Sequence, residues 1–140
     1  MVKESPAAGR PEPEKTEKIT VNLGIVDLGE IDLLVQEGFF ANRTDFIRSA
    51  IRAQLATRAT AVQQTVVRRT LQLGNHHLSR ADLEALQAAG EMTEVRVLGL
   101  ASIADDVTPE LALATIASIE VLGAFRASAA VKAALRPRIV

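Results

Sequence analysis

The hexapeptide KITVNL, residues 18–23, alternates polar and apolar side chains throughout. This two-residue period predicts a β-strand with one buried face and one wet face. The apolar face carries Ile19, Val21 and Leu23, and the polar face carries Lys18, Thr20 and Asn22. Helical patterns follow directly, so the strand has no partner nearby in the sequence. Because a lone strand is unstable in water, we expect it to pair with the same strand of a second chain.

Two amphipathic helices are predicted after this strand. The first has Asp27 as its N-cap, with Glu30 completing a capping box, and ends at Gly38 in a left-handed cap. The second begins near Asn42 and runs to about Gln64, since no helix-breaking residue interrupts it earlier. Two chains together would form a two-stranded antiparallel ribbon over four helices.

The segment EGFFANRTDFIRSAIR, residues 37–52, follows a distinctive order. A Gly-containing turn leads into a helix that opens with Asn, a basic residue, Thr and an acid. Together with the preceding strand and helix, it resembles the ribbon-helix-helix family of Arc/MetJ/CopG-like repressors over residues 17–56. The resemblance implies an intertwined homodimer that places its ribbon in the major groove of double-stranded DNA.

The resemblance also implies which side chains contact DNA. The outward strand residues would read bases, and these are Lys18, Thr20 and Asn22. Asn pairs with adenine, Thr contacts thymine methyl groups, and Lys reaches guanine acceptors or phosphate. An ordinary solvated sheet face is the alternative for these three positions.

Phosphate contacts are implied at the start of the second helix, at Asn42, Arg43 and Thr44. Free amide groups and the helix dipole favour an anion at such a position. Arg48 either extends this phosphate footprint or belongs to a solvated face that pairs with Asp45 or with a partner chain. Such contacts orient a protein on DNA without specifying sequence.

A repeat is visible in the C-terminal half. Three apolar, β-branched segments end in Gly74, Gly99 and Gly123, which are spaced by 25 and 24 residues. A helix-prone segment follows each of them, and Thr108 with Pro109 predicts one helix start. The period predicts a β-solenoid-like or β-α repeat domain. A short open sheet with unrelated glycine turns is the alternative.

These patterns divide the α+β chain into three parts. Residues 1–16, rich in Pro and charge, are predicted to form a disordered arm. Residues 17–64 would be the ribbon-helix-helix module for DNA binding and dimerisation. Residues 65–140 would be a repeat domain for oligomerisation.

Composition argues against several classes of function. The 140 residues include no cysteine and two histidines, and show no nucleophile–base or phosphate-loop pattern. We therefore expect no enzyme activity, cofactor or metal site, although His76 and His77 leave a symmetric site across a dimer open. The sequence has no apolar run of membrane-spanning length and no signal peptide, so a bacterial cytoplasmic protein is expected. The net charge of −1 argues weakly against DNA unless the basic residues gather on one face.

The leading hypothesis is a sequence-specific transcriptional regulator, most simply a repressor. It would act as a homodimer, with tetramers or larger assemblies built through the C-terminal domain. One alternative is an antitoxin whose tail wraps a toxin, although such tails are usually charged and disordered. Another is a DNA-tethered assembly protein in which the ribbon only dimerises.

Overall fold

A computed structural model describes residues 15–140 of the chain. The chain divides into two compact units, with the boundary between Arg43 and Thr44. The predicted disordered arm, residues 1–16, lies almost wholly outside the described residues.

The first unit contains an extended segment and one helix. Residues 15–24 belong to no helix or strand, and α1 spans Ile25–Gln36. The predicted N-cap at Asp27 is wrong, because the N-cap is Gly24. Glycine has no side chain, so no side-chain hydrogen bond caps the first turn. Asp27 instead lies in the first turn, where its charge is favourable against the helix dipole.

The end of α1 confirms the predicted left-handed cap. Gly38 has a φ of 84°, and its N–H donates to the Val35 carbonyl at 3.1 Å. The Phe39 N–H donates to the Leu34 carbonyl at 3.0 Å. This pair of bonds is the Schellman arrangement, which satisfies carbonyls that the helix leaves without partners.

Two helices follow where one was predicted, and all but the first residue of the pair belongs to the second unit. These are α2, Arg43–Thr57, and α3, Ala59–Arg69, with Arg58 between them. The predicted helix end near Gln64 is therefore wrong, since α3 continues to Arg69. Val66 is buried in the unit, and this tertiary packing outweighs the β-propensity of a β-branched residue.

A three-stranded parallel sheet follows, in the order β1-β2-β3. Its strands are β1, Gln72–Leu78, β2, Thr93–Ile103, and β3, Ile116–Arg126. The intervening and following helices are α4, Arg80–Ala89, α5, Pro109–Thr115, and α6, Ala129–Leu135, and a short 3-10 helix covers Arg136–Arg138. The predicted β-solenoid is wrong, because the strands form one small open sheet joined by helices.

The register confirms that the glycine spacing is a repeat. Gly74 pairs with Gly99, and Gly99 pairs with Gly123. All three have positive φ, and a Cβ on Gly99 or Gly123 would collide with the carbonyl oxygen of the neighbouring glycine. The strands can therefore approach at this row only because side chains are absent.

The helices after the three strands also begin alike. Ser79, Thr108 and Ser128 are the N-caps of α4, α5 and α6. Each hydroxyl accepts from the backbone N–H three residues later, at 3.1–3.2 Å. The predicted start of α5, with Thr108 as cap and Pro109 first in the helix, is confirmed.

The core of this unit lies between the sheet and these three helices. Val97 and Ile119 of the sheet are buried against Leu83 of α4 and Val131 of α6, among others. Because strand side chains alternate, the odd-numbered residues of β2 face this core and the even-numbered ones face the opposite side. That opposite side carries both charged and apolar residues.

Candidate nucleic-acid interface

The predicted base-reading residues lie on the extended segment before α1. Lys18, Thr20 and Asn22 are all exposed there. Their apolar neighbours are exposed as well, Ile19 by 75% and Val21 by 66% of their surface. Apolar side chains this open to water, on a segment with no ladder partner within residues 15–140, are what an unpaired ribbon strand would present.

The predicted phosphate residues lie together at the start of α2. Asn42 directly precedes the first helical residue, Arg43, and Thr44 is the second. All three are exposed, as is Arg48 one turn further along the helix. The positive end of the helix dipole favours an anion at this position.

Arg43 also has a partner that the sequence analysis missed. Its Nε and Nη2 donate to the two carboxylate oxygens of Asp32, at 2.7 and 2.8 Å. The hydrogen bond and charge of Arg43 lower the pKa of the Asp32 carboxyl below its usual value. The same contact raises the pKa of the Arg43 guanidinium. The sequence offered one signal for this pair, namely an acidic residue before the turn, Asp32, and a basic residue after it, Arg43.

The α2 helix has an apolar side that water reaches. Ile47, Ile51 and Leu55 are spaced by four residues and are all exposed. The structure describes every residue of α2, and none of them is buried. A helix with such a stripe and no buried residue obtains most of its stability from a partner surface.

In the described chain, the two histidines and the paired acids belong to no cluster of three metal-ligating side chains. His76 and His77 lie side by side on β1, and His77 Nδ1 is 2.7 Å from the Ser102 hydroxyl on β2. Asp105 and Asp106 form the turn that precedes α5. Among residues 15–140, no three His, Cys, Asp or Glu side chains cluster closely enough to hold an ion.

Within residues 15–140, no helix combines the length and the hydrophobicity that a bilayer-spanning helix needs.

Comparison with known proteins gives a family for the chain. Searches of curated proteins and of solved structures found no match. A family model described as the ribbon-helix-helix transcriptional regulator family matches residues 14–132. The match covers most of the 140 residues and extends through the parallel sheet, well beyond the segment in which the sequence pattern was seen. The chain therefore belongs to the ribbon-helix-helix transcriptional regulators, which bind DNA and dimerise.

Proposed function

We propose that this protein is a sequence-specific transcriptional repressor that binds operator DNA as a homodimer in the cytoplasm. The observation that carries the proposal is the exposed, alternating segment of residues 18–23 in front of α1. Pairing two such segments would bury Ile19, Val21 and Leu23. It would leave Lys18, Thr20 and Asn22 of both chains on the outer face of a ribbon, which the major groove admits.

Phosphate contacts would orient this ribbon. Asn42, Arg43 and Thr44 offer backbone N–H groups and polar side chains at the exposed start of α2. Arg48 is also exposed and would contact the phosphates of the same DNA strand with a second positive charge. These contacts supply affinity common to all sequences, whereas the ribbon supplies discrimination.

The 65–140 region would act as an oligomerisation domain. Its own core of buried aliphatic residues supports a domain that folds by itself. The antitoxin alternative has less support, because a tail that folds only on a toxin would lack such a core. Neither His76 nor His77 has a role in this proposal, and no cofactor is required.

Selection from genomic DNA fragments tests the proposal. The purified chain would be used to enrich fragments, and the enriched duplex compared with a shuffled duplex of the same length by fluorescence anisotropy. We expect one dimer per half-site pair, and a preference on the order of 1,000-fold or more at physiological salt. Binding should weaken steeply as salt rises. Equal affinity for the enriched and shuffled duplexes would contradict sequence-specific regulation.

A further inference from the structure

The side of the sheet opposite α4, α5 and α6 has an apolar part that is only partly covered. Leu73, Leu98 and Leu122 are register neighbours on the three strands, and together with Val62 of α3 we call them the leucine face. Leu73 is exposed by 65% and Leu122 by 44%. An open cavity of about 240 Å³ lies between α3 and this side, lined by Val62, Leu98 and Leu122 among others.

The α3 helix is held over one end of the leucine face by an ionic cluster. Glu120 of β3 accepts from Arg96 Nε on β2 at 3.3 Å and pairs with Arg69 at the end of α3. The Glu120 side chain is largely buried, so both arginines have a fixed counter-charge. The residues that define the leucine face, beside this cluster, are all aliphatic.

The leucine face continues the exposed stripe of α2. Ile51, Leu55 and Val62 follow one another at helical spacings of four and seven residues. Only Arg58 separates the two helices, and its N–H still donates to the Leu55 carbonyl at 3.1 Å while its carbonyl accepts from Val62 at 3.0 Å. A chain packed against the α2 stripe is therefore brought to α3 at the next turn.

We propose that the leucine face is covered by the same partner chain that packs on α2, so that the dimer interface extends across α3 onto the sheet. The inference rests on the homodimer of the proposed function, and it adds a second contact area to the dimer interface. The face suits a copy of itself, because it offers a protruding side chain at Leu73 and an open apolar cavity side by side. In a two-fold interface, the Leu73 side chain of each chain can enter the apolar cavity of the other.

Thiol protection tests this interface, since the natural chain has no cysteine. Single variants Val62→Cys and Leu122→Cys place a thiol on the leucine face, and Ile51→Cys places one on α2. Met92→Cys, at an exposed apolar position outside the face, is the matched control. Reaction rates with Ellman's reagent would be measured below and above the dimer dissociation constant, which sedimentation gives for each variant.

We expect dimerisation to slow the reaction of Val62→Cys, Leu122→Cys and Ile51→Cys about tenfold, and to leave Met92→Cys unchanged. Protection of Ile51→Cys alone would overturn the extended interface and leave the proposed dimer standing. Protection of Val62→Cys only at a second, higher-order association step would overturn the shared partner. A chain that stays monomeric with every thiol reactive would overturn both proposals.

Discussion

The guanidinium of Arg43 and the carboxylate of Asp32 face each other across the turn between α1 and α2, joined by hydrogen bonds of 2.7 and 2.8 Å. Such a two-point pair fixes the orientation of the arginine as well as its charge. Arg43 is the first residue of α2, where phosphate is proposed to bind. The pair therefore holds the negative charge of Asp32 beside the proposed phosphate position, where it would oppose the binding of another negative group.

Replacing the acid should strengthen DNA binding. Asp32→Asn removes a negative charge near the phosphate position and frees Arg43 to contact DNA. We expect the affinity for DNA to rise only about threefold to tenfold at low salt, because exposed charges interact weakly. The rise should be equal for specific and shuffled duplexes, because phosphate contacts carry no sequence information. The salt slope should steepen by about one for each chain.

A matched control exists on α4, where Arg80 pairs with Glu84 at 2.7 Å. Glu84→Gln makes the same change in net charge and also frees an arginine, but outside the proposed interface. Its DNA affinity should stay within about twofold of the natural protein. A loss of affinity in Asp32→Asn, similar to that of Arg43→Ala, would instead mean that Asp32 positions Arg43 for phosphate.

The glycine row makes a prediction about stability. Gly99→Ala combines a strained positive φ with a collision against the Gly74 carbonyl, whereas a Cβ on Gly74 meets open space. We expect losses in the free energy of unfolding of about 4 kcal/mol for Gly99→Ala and about 1–2 kcal/mol for Gly74→Ala. Urea unfolding followed by circular dichroism measures both, and equal losses would show that strain alone matters.

Stability should also depend on Asp82. The side-chain hydrogen bond of Ser79, followed by its backbone hydrogen bond, lowers the pKa of Asp82 from the usual 3.8. The backbone bond is donated by the Ser79 N–H to the Asp82 carboxylate at 3.2 Å. A carboxyl with a lowered pKa in the folded state stabilises the fold above its unfolded pKa. That contribution is lost as the pH falls through the lower, folded value.

The measurement for Asp82 is the Tm of the natural protein and of Asp82→Asn across pH. We expect the difference in Tm to be largest near neutral pH, to be retained down to about pH 4, and to shrink below that. Ser79→Ala removes the side-chain hydrogen bond that is the main cause of the lowered pKa of Asp82. In that background, the effect of Asp82→Asn on Tm should depend less on pH. A difference that grows as the pH falls would contradict this role for the capping box.

Local patterns in the sequence predicted much of this structure. Gly38 as a left-handed cap, Thr108 with Pro109 at a helix start, and the spacing of the three repeat glycines each depend on a few neighbouring residues. Such signals act through backbone conformation, which sequence neighbours control. The order of residues in 37–52 likewise predicted the family.

Features set by distant contacts could not be predicted in the same way. Val66 and Val67 have β-propensity, yet α3 contains both because the sheet side buries Val66. The glycine period fits a coiled solenoid and a flat row of strand–helix units equally well, so spacing alone left the architecture open. Asp32 was missed because its partner lies 11 residues away, across a turn.

Paired segments of residues 18–23 are proposed to read the bases of the operator. The direct test is the ratio of affinities for operator and shuffled duplex, measured for the natural protein and for the triple variant Lys18→Ala, Thr20→Ala, Asn22→Ala. Lys132→Ala, on α6, controls for the lost positive charge. We expect the triple variant to remain dimeric while its ratio falls from about 1,000 to near one, with Lys132→Ala unchanged. An unchanged ratio in a folded, dimeric triple variant would contradict reading by the ribbon.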